Sequence, residues 1–303
     1  MMLDRWTVTV SAVLMGFIAV LLGVHLTQET VAAQMDMGDM PMGKYRLTML
    51  TEPAAVQAGQ PFTLTLDFFQ EDGETPVTEF DEVHTKPLHL ILLSADLQQF
   101  LHLHPDYAGD GRFELPDTIL PQASEYVVFA DFTPTGDHQQ VIRTTLTTQD
   151  VQPAAVELTL SETEFVAGPL RFELQLPEEL NAGAETLISF HVTDAESGAD
   201  IDTLDEYLGS GGHLVLVDSA AEVYIHTHPA EHEEDEAGGH GGMAGMTMAE
   251  QYGPHIEFEA TFPDVGLYAM WLQVQYEGEV YTAPFVVEVT GEVAPDATME
   301  AHS

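Results

Sequence analysis

From Tyr45 onward the chain is written in short runs in which apolar residues alternate with polar ones or follow one another for a few positions. YRLTML (45–50), FTLTLDFF (62–69), LHLILL (88–93), QQFLHLH (98–104), YVVFADF (126–132) and VIRTTLTT (141–148) form one set. LRFELQL (170–176), TLISFHV (186–192), HLVLV (213–217), EVYIHTH (222–228), IEFEATF (256–262), YAMWLQVQY (268–276) and FVVEV (285–289) form a second. Gly, Pro and Asp punctuate both sets, and no long stretch keeps the 3.6-residue period of a helix. The pattern predicts an all-β chain of two tandem antiparallel β-sandwich domains, 45–150 and 169–291. The joining segment, 151–168, has room for one more strand at AVELTL (155–160). Phe129 and Trp271 are expected in the cores between the sheets.

The two sets are diverged copies. LHLILLSADLQQFLHLHP (88–105) recurs as GHLVLVDSAAEVYIHTHP (212–229), and His89, His102 and His104 reappear without a gap as His213, His226 and His228. Each copy reads as a β-hairpin. A two-residue turn at Ala95-Asp96 pairs His89 directly with His102, and the same count pairs His213 with His226. Side chains two apart on a strand, or directly opposed across a ladder, share a face. Three imidazoles of each copy therefore converge on one patch, within reach of metal–nitrogen bonds of about 2.0–2.1 Å. A lone His-x-His in a strand usually only decorates a sheet; the same triplet twice points to metal. His84 is a fourth ligand of the first copy at most, because Leu208 stands at its counterpart. His138 and His191 read as ordinary surface or strand residues.

Two further stretches add soft donors. Residues 34–44 carry Met35, Met37, Met40 and Met42 among Asp, Gly and Pro, a pattern that fits neither a helix stripe nor a core strand. An insertion in the second copy, 230–254, carries His232, His240, Met243, Met246 and Met248 among glycines and acids, with His255 just beyond. It leaves the strand directly after His228, so it is placed to fold over the histidine patch. Thioethers favour Cu(I), whereas imidazoles suit Cu(II) or zinc.

Arg5 followed by the apolar run Trp6–Leu26 and the small residues Val31–Ala33 makes 1–33 either a cleaved export signal or a retained membrane anchor. Both place the rest of the chain outside the cytoplasm. The 303 residues carry only seven Lys plus Arg and a formal net charge of -44, which excludes nucleic acid as a natural partner and suits cations. The absence of cysteine excludes disulfides, thiolate metal sites and a blue-copper centre. Residues 292–303 form a tail.

The strand HLILLS or HLVLVD, the turn, and then HLHP or HTHP, with the ending FPDVGLYAMWLQVQYEGEVYTAPFVVEV, resemble exported bacterial YtkA-like and FixH-like domains. The resemblance implies Ig-like β-sandwiches outside the cytoplasm in copper or heavy-metal settings. The Met-rich segments are similar to those of CopC-type periplasmic copper carriers, which use an amino-terminal His where this chain has Gln34. Three function classes stay open. The first is an exported protein that buffers or delivers copper, with zinc as the other candidate ion and an envelope transporter or metalloprotein as partner. The second is a structural or adaptor β-sandwich without metal. The third, a three-His metalloenzyme, lacks any accompanying catalytic signature, so a non-enzyme is expected. Membrane contact is expected only through 1–33, if that segment is uncleaved.

Overall fold

The alternating runs become strands, and a computed structural model describing residues 44–151, 156–229 and 252–292 contains no other regular element. Among the described residues no helix is long and apolar enough to cross a membrane. Residues 1–33, the four methionines of the 34–44 segment, and His232, His240, Met243, Met246 and Met248 lie outside the described residues.

The first half contains β1 (Tyr45–Glu52), β2 (Phe62–Gln70), β3 (Phe80–Asp81), β4 (Leu88–Ser94), β5 (Phe100–Leu103), β6 (Asp106–Gly109), β7 (Arg112–Thr118), β8 (Glu125–Pro134) and β9 (Gln140–Thr147). One sheet runs β1-β2-β7-β6; the other runs β3-β8-β4-β5, with β9 also on β8. The second half contains β10 (Glu164–Ala167), β11 (Leu170–Gln175), β12 (Asn181–Ala182), β13 (Glu185–Asp194), β14 (His213–Asp218), β15 (Tyr224–Thr227), β16 (His255–Thr261), β17 (Gly266–Tyr276), β18 (Glu279–Val289) and β19 (Gly291–Glu292). Its main sheets run β10-β11-β13-β16 and β15-β14-β17-β18, and β12 and β19 form a small parallel pair. Each half is thus an Ig-like sandwich of antiparallel sheets. The extra strand of the joining region is Glu164–Ala167, not AVELTL: residues 156–160 form no strand, and β10 instead extends the sheet of β11.

Strand parity explains the packing. In β4, Leu88, Leu90 and Leu92 face inward, into the core of the first sandwich with Leu64, Leu66 and Phe68 of β2 and Tyr126, Val128 and Ala130 of β8. In β17, Tyr268, Met270, Leu272 and Val274 do the same in the second sandwich. Yet β4 is buried at every position. Its other face, with Ile91 and Leu93, packs on Val215, Val217, Ala269 and Trp271 of the second half, together with Val127, Phe129 and Ala221. A strand covered on both faces has no polar side to write, hence the continuous run LHLILL. Leu158 of the joining segment also lies against this third cluster.

Phe129 and Trp271 therefore do not sit between the sheets of one sandwich; they sit between the sandwiches. They are one residue out of phase with the inward set, so they project from the outer face. The contact has an approximate twofold character. Phe100 stacks on Trp271 with ring centroids 5.0 Å apart, and Tyr224, the counterpart of Phe100, stacks on Phe129 at 4.7 Å. The Nε–H of Arg143 adds a 2.7 Å hydrogen bond to the Ala221 carbonyl.

Candidate metal centre

The two hairpins are brought together by the same outer faces, and their histidines lie at one end of the interface. Each hairpin has a wider turn than the sequence predicts. Ser94 N–H donates to the Gln99 carbonyl, and Asp96 Oδ1 accepts from Ser94 Oγ and Gln98 N–H. Leu97 takes a left-handed φ of 56°, as does its counterpart Ala221 at 50°. A side-chain acceptor in the loop supplies what an Asn-Gly turn would supply in the backbone. The register shifts accordingly: Ile91, not His89, opposes His102, and Val215, not His213, opposes His226. The slip is two residues rather than one, so all three imidazoles of each copy still share a face.

The imidazoles meet closely. His89 Nδ1 lies 3.0 Å from His102 Nε2, which lies 3.1 Å from His104 Nε2. In the second half His213 Nδ1 lies 3.2 Å from His226 Nε2. The rings of His226 and His228 are 4.6 Å apart, and those of His213 and His228 are 4.5 Å apart. The patches form one cluster, not one per domain. Candidate ligand atoms of His213, His226 and His228 lie within 4.8 Å of one another, and so do those of His89, His102 and His226. His89 is 3 % exposed and His213 is fully buried.

The outer nitrogens fix the rings. His89 Nε2–H donates to the Val83 carbonyl at 2.9 Å, and His213 Nε2–H donates to the Tyr207 carbonyl at 3.0 Å. His102 Nδ1–H donates to Gln273 Oε1 of the other half at 2.8 Å. Gln273 Nε2 donates in turn to Thr282 Oγ1, which fixes the amide orientation. His226 Nδ1–H donates to Asp131 Oδ2 of the other half at 3.2 Å. Carbonyl and carboxylate oxygens only accept, so the hydrogen of each neutral ring is on its outer nitrogen. That leaves His89 Nδ1 and His102 Nε2 as bare lone pairs facing each other, and His213 Nδ1 and His226 Nε2 likewise. Among the described residues His228 Nε2 is buried with no hydrogen-bond partner. A tetrahedral ion with bonds of about 2.0–2.1 Å separates its nitrogens by roughly 3.3 Å, close to the distances found.

Asp131 is the least obvious member. It is buried, and burial raises its pKa, against the hydrogen bonds from Gln139 Nε2 at 2.7 Å and Tyr224 OH at 3.3 Å. Burial pushes His226 well below its ordinary value, so their contact is a hydrogen bond from a neutral ring, not an ion pair. Metal-bound imidazoles are commonly oriented by an outer acceptor of this kind, whose loss costs about 10–100-fold in affinity. For a metal ion held on these rings, Asp131→Asn, which keeps an acceptor as Gln273 does for His102, would cost about tenfold in affinity. Asp131→Ala is expected to approach a hundredfold. Competition against a chelator of known affinity measures both.

His84 is the histidine the sequence undervalues. Its ring stacks on His228 of the other half at a centroid distance of 3.4 Å and meets the edge of His213 at 5.6 Å. It occupies a two-residue turn closed by hydrogen bonds between Val83 and Lys86, with His84 at φ 48° and Thr85 at φ 64°. The other half uses Leu208 and Gly209 there. A β-branched residue with positive φ is uncommon, and this turn also aims the Val83 carbonyl at His89. His255 is not in the cluster. It lies exposed at the start of β16 and stacks on His191, whose Nε2 bonds Asp200. A cavity of about 10 Å³, lined in part by His89, His226, His228, Asp131 and Lys86, opens beside the cluster.

Burial also sets the acid range. It pushes His102 down to about 4 and His104 and His228 down to about 2, with neighbouring imidazoles adding to the shift. His89 and His213 move the same way for the same main reason. The unfolded chain binds protons at these positions below about pH 6.5, and the folded chain binds fewer. These histidines therefore contribute stability to the metal-free fold that is fully present above about pH 6.5 and is lost as pH falls toward 4. The same shifts move proton competition for the lone pairs to lower pH than unperturbed imidazoles would show. For a metal ion held on these rings, affinity corrected for protonation of the competitor is expected to fall less between pH 7 and pH 5 than that of a free-imidazole complex measured beside it. A loss across that window equal to that of the free-imidazole complex would show the rings titrating normally.

No curated protein matches the chain. Among solved structures it is similar to the Escherichia coli adhesin FdeC, at 12% identity and a TM-score of 0.25, over 84% of this chain and 66% of that one. It is similar to Salmonella alpha-2-macroglobulin at 12% identity and a TM-score of 0.25, over 84% and 16%. The chicken CNTN1 FN1–FN3 domains match at 11% identity and a TM-score of 0.20, over 78% and 64%. The chain spans less than two thirds of each of these, and likenesses so distant say nothing of function. One family covers both sandwiches, matching residues 41–150 and 166–291. The chain belongs to that family, described as Domain of unknown function (DUF8832).

Proposed function

We propose that this protein binds copper in the histidine cluster between its two sandwiches and holds or delivers it outside the cytoplasm. The observation that carries this is the pair of opposed imidazole nitrogens in each half, at 3.0 and 3.2 Å, whose hydrogens are committed elsewhere. Two lone pairs at that distance repel unless a cation lies between them, and burial disfavours a proton in that role. An all-imidazole set suits copper or zinc, and the order of divalent affinities places Cu(II) above Zn. The acidic composition concentrates cations near the surface. Export rests on the apolar run after Arg5.

The test is a competition titration of the metal-stripped full chain with Cu(II) and Zn(II), beside the variant His89→Ala with His226→Ala. Tight binding that the variant loses, and that excess calcium does not displace, supports the proposal. Binding equal in the two proteins would assign the metal to the acidic surface.

A structural β-sandwich module of the cell envelope is the second reading. What favours it is the apolar cluster of Ile91, Leu93, Phe129 and Trp271, which joins the halves with no ion required. No tight binding of either metal leaves that reading standing.

A further inference from the structure

We infer that the cluster is a two-ion centre, taking one first-row transition-metal ion against His89, His102 and His104 and a second against His213, His226 and His228. This rests on the metal-binding reading above and goes beyond it in number and arrangement. Six imidazoles are two more than a four-coordinate ion accepts. The opposed nitrogens occur twice, once in each half, and one ion relieves only one of them. An ion seated between His89 Nδ1 and His102 Nε2 leaves His213 Nδ1 and His226 Nε2 still facing at 3.2 Å.

The orienting contacts are duplicated as well. The Val83 and Tyr207 carbonyls fix the first ring of each set. Gln273 and Asp131, each from the opposite half, fix the second. Among the described residues His226 falls in both close groups of three, but with its Nδ1–H on Asp131 it has one lone pair, at Nε2, which faces His213 and so serves the second ion. His104 adds a nitrogen to the first group through its 3.1 Å approach to His102. The two groups are near neighbours: His89 and His102 have ring centroids 5.1 and 5.3 Å from that of His226, and 6.1 and 5.6 Å from that of His213. Two cations this close repel, and Asp131, a buried carboxylate on His226, is placed to offset part of that repulsion.

Copper bound to the full chain is counted by competition titration and native mass spectrometry in the wild type and three variants. His89→Ala with His104→Ala spares His213, His226 and His228. His213→Ala with His228→Ala spares His89, His102 and His104. The third combines all four changes. Relative to wild type, the expected losses are one ion, one ion and two ions, with near-ultraviolet circular dichroism checking that each variant folds. Two Cu(II) ions side by side also give a spin count below the copper content, or a half-field resonance, that both double variants lose.

A quadruple variant that loses a single ion, or wild-type copper that integrates as isolated spins, overturns the two-ion centre while leaving the metal-binding reading intact. A quadruple variant that loses no copper removes that reading itself.

Discussion

Excess Cu(II) added to the metal-stripped protein is expected to raise its thermal midpoint by about 10 °C. A ligand that binds only the folded state at a thousand times its dissociation constant adds roughly 4 kcal/mol. For chains of this size each kcal/mol moves the midpoint by about 2–4 °C. The coupling is strong here because the ligands come from both sandwiches: His89 and His102 from one, His226 from the other. Unfolding either half therefore dismantles the site. Zinc is expected to give a smaller shift, following the order of affinities. The control is His226→Ala, read as the metal-induced shift rather than the absolute midpoint, because the substitution also leaves Asp131 without its imidazole partner. Differential scanning fluorimetry with and without metal supplies the measurement. Equal midpoints with and without either ion would rule out tight binding by the folded cluster.

Much of this architecture is legible in the sequence because strands write their packing in a two-residue period. The runs 62–69 and 186–192 alternate visibly and become half-covered strands. The face-sharing of His89, His102 and His104 survives a wrong register because the error is an even number of residues. The turn itself was not legible. Its geometry depends on Asp96 accepting from Ser94 and Gln98, a contact that no dipeptide signal announces.

The merging of the two patches was also hidden. Nothing in either copy says that its outer face meets the other copy's outer face. One available signal was the apolar run Leu90–Leu93 within LHLILL, with no polar alternation, which marks a strand covered on both sides. Asp131 and Gln273 could have been suspected for the same reason, as polar residues in otherwise apolar strands at matching positions in the two copies. His84 had no such signal. Its counterpart is Leu208, and only the turn geometry carries its ring across to His228.

Trp271→Ala is expected to separate the two sandwiches while leaving each one folded, and to weaken copper binding with no ligand touched. Trp271 is 4 % exposed and stacks on Phe100, and its neighbours in the apolar cluster come from the outer faces of both halves. Removing a buried Trp or Phe side chain typically costs about 3–5 kcal/mol. Here that cost falls on the contact between sandwiches, because the adjacent residues Met270 and Leu272 keep the core of the second sandwich filled. The orienting contacts of His102 and His226 both cross this interface, to Gln273 and Asp131, so separation frees both rings. The expected readouts are a larger radius of gyration by small-angle scattering, unchanged far-ultraviolet circular dichroism, and copper affinity lower by at least tenfold, the lower bound for losing one such contact. Met270→Ala makes the contrast: its cavity lies inside one sandwich, so that half loses stability while the interface keeps all its side chains. If Trp271→Ala separates the halves and copper binds as tightly as before, each hairpin holds its ion alone and the interface serves only to cover them.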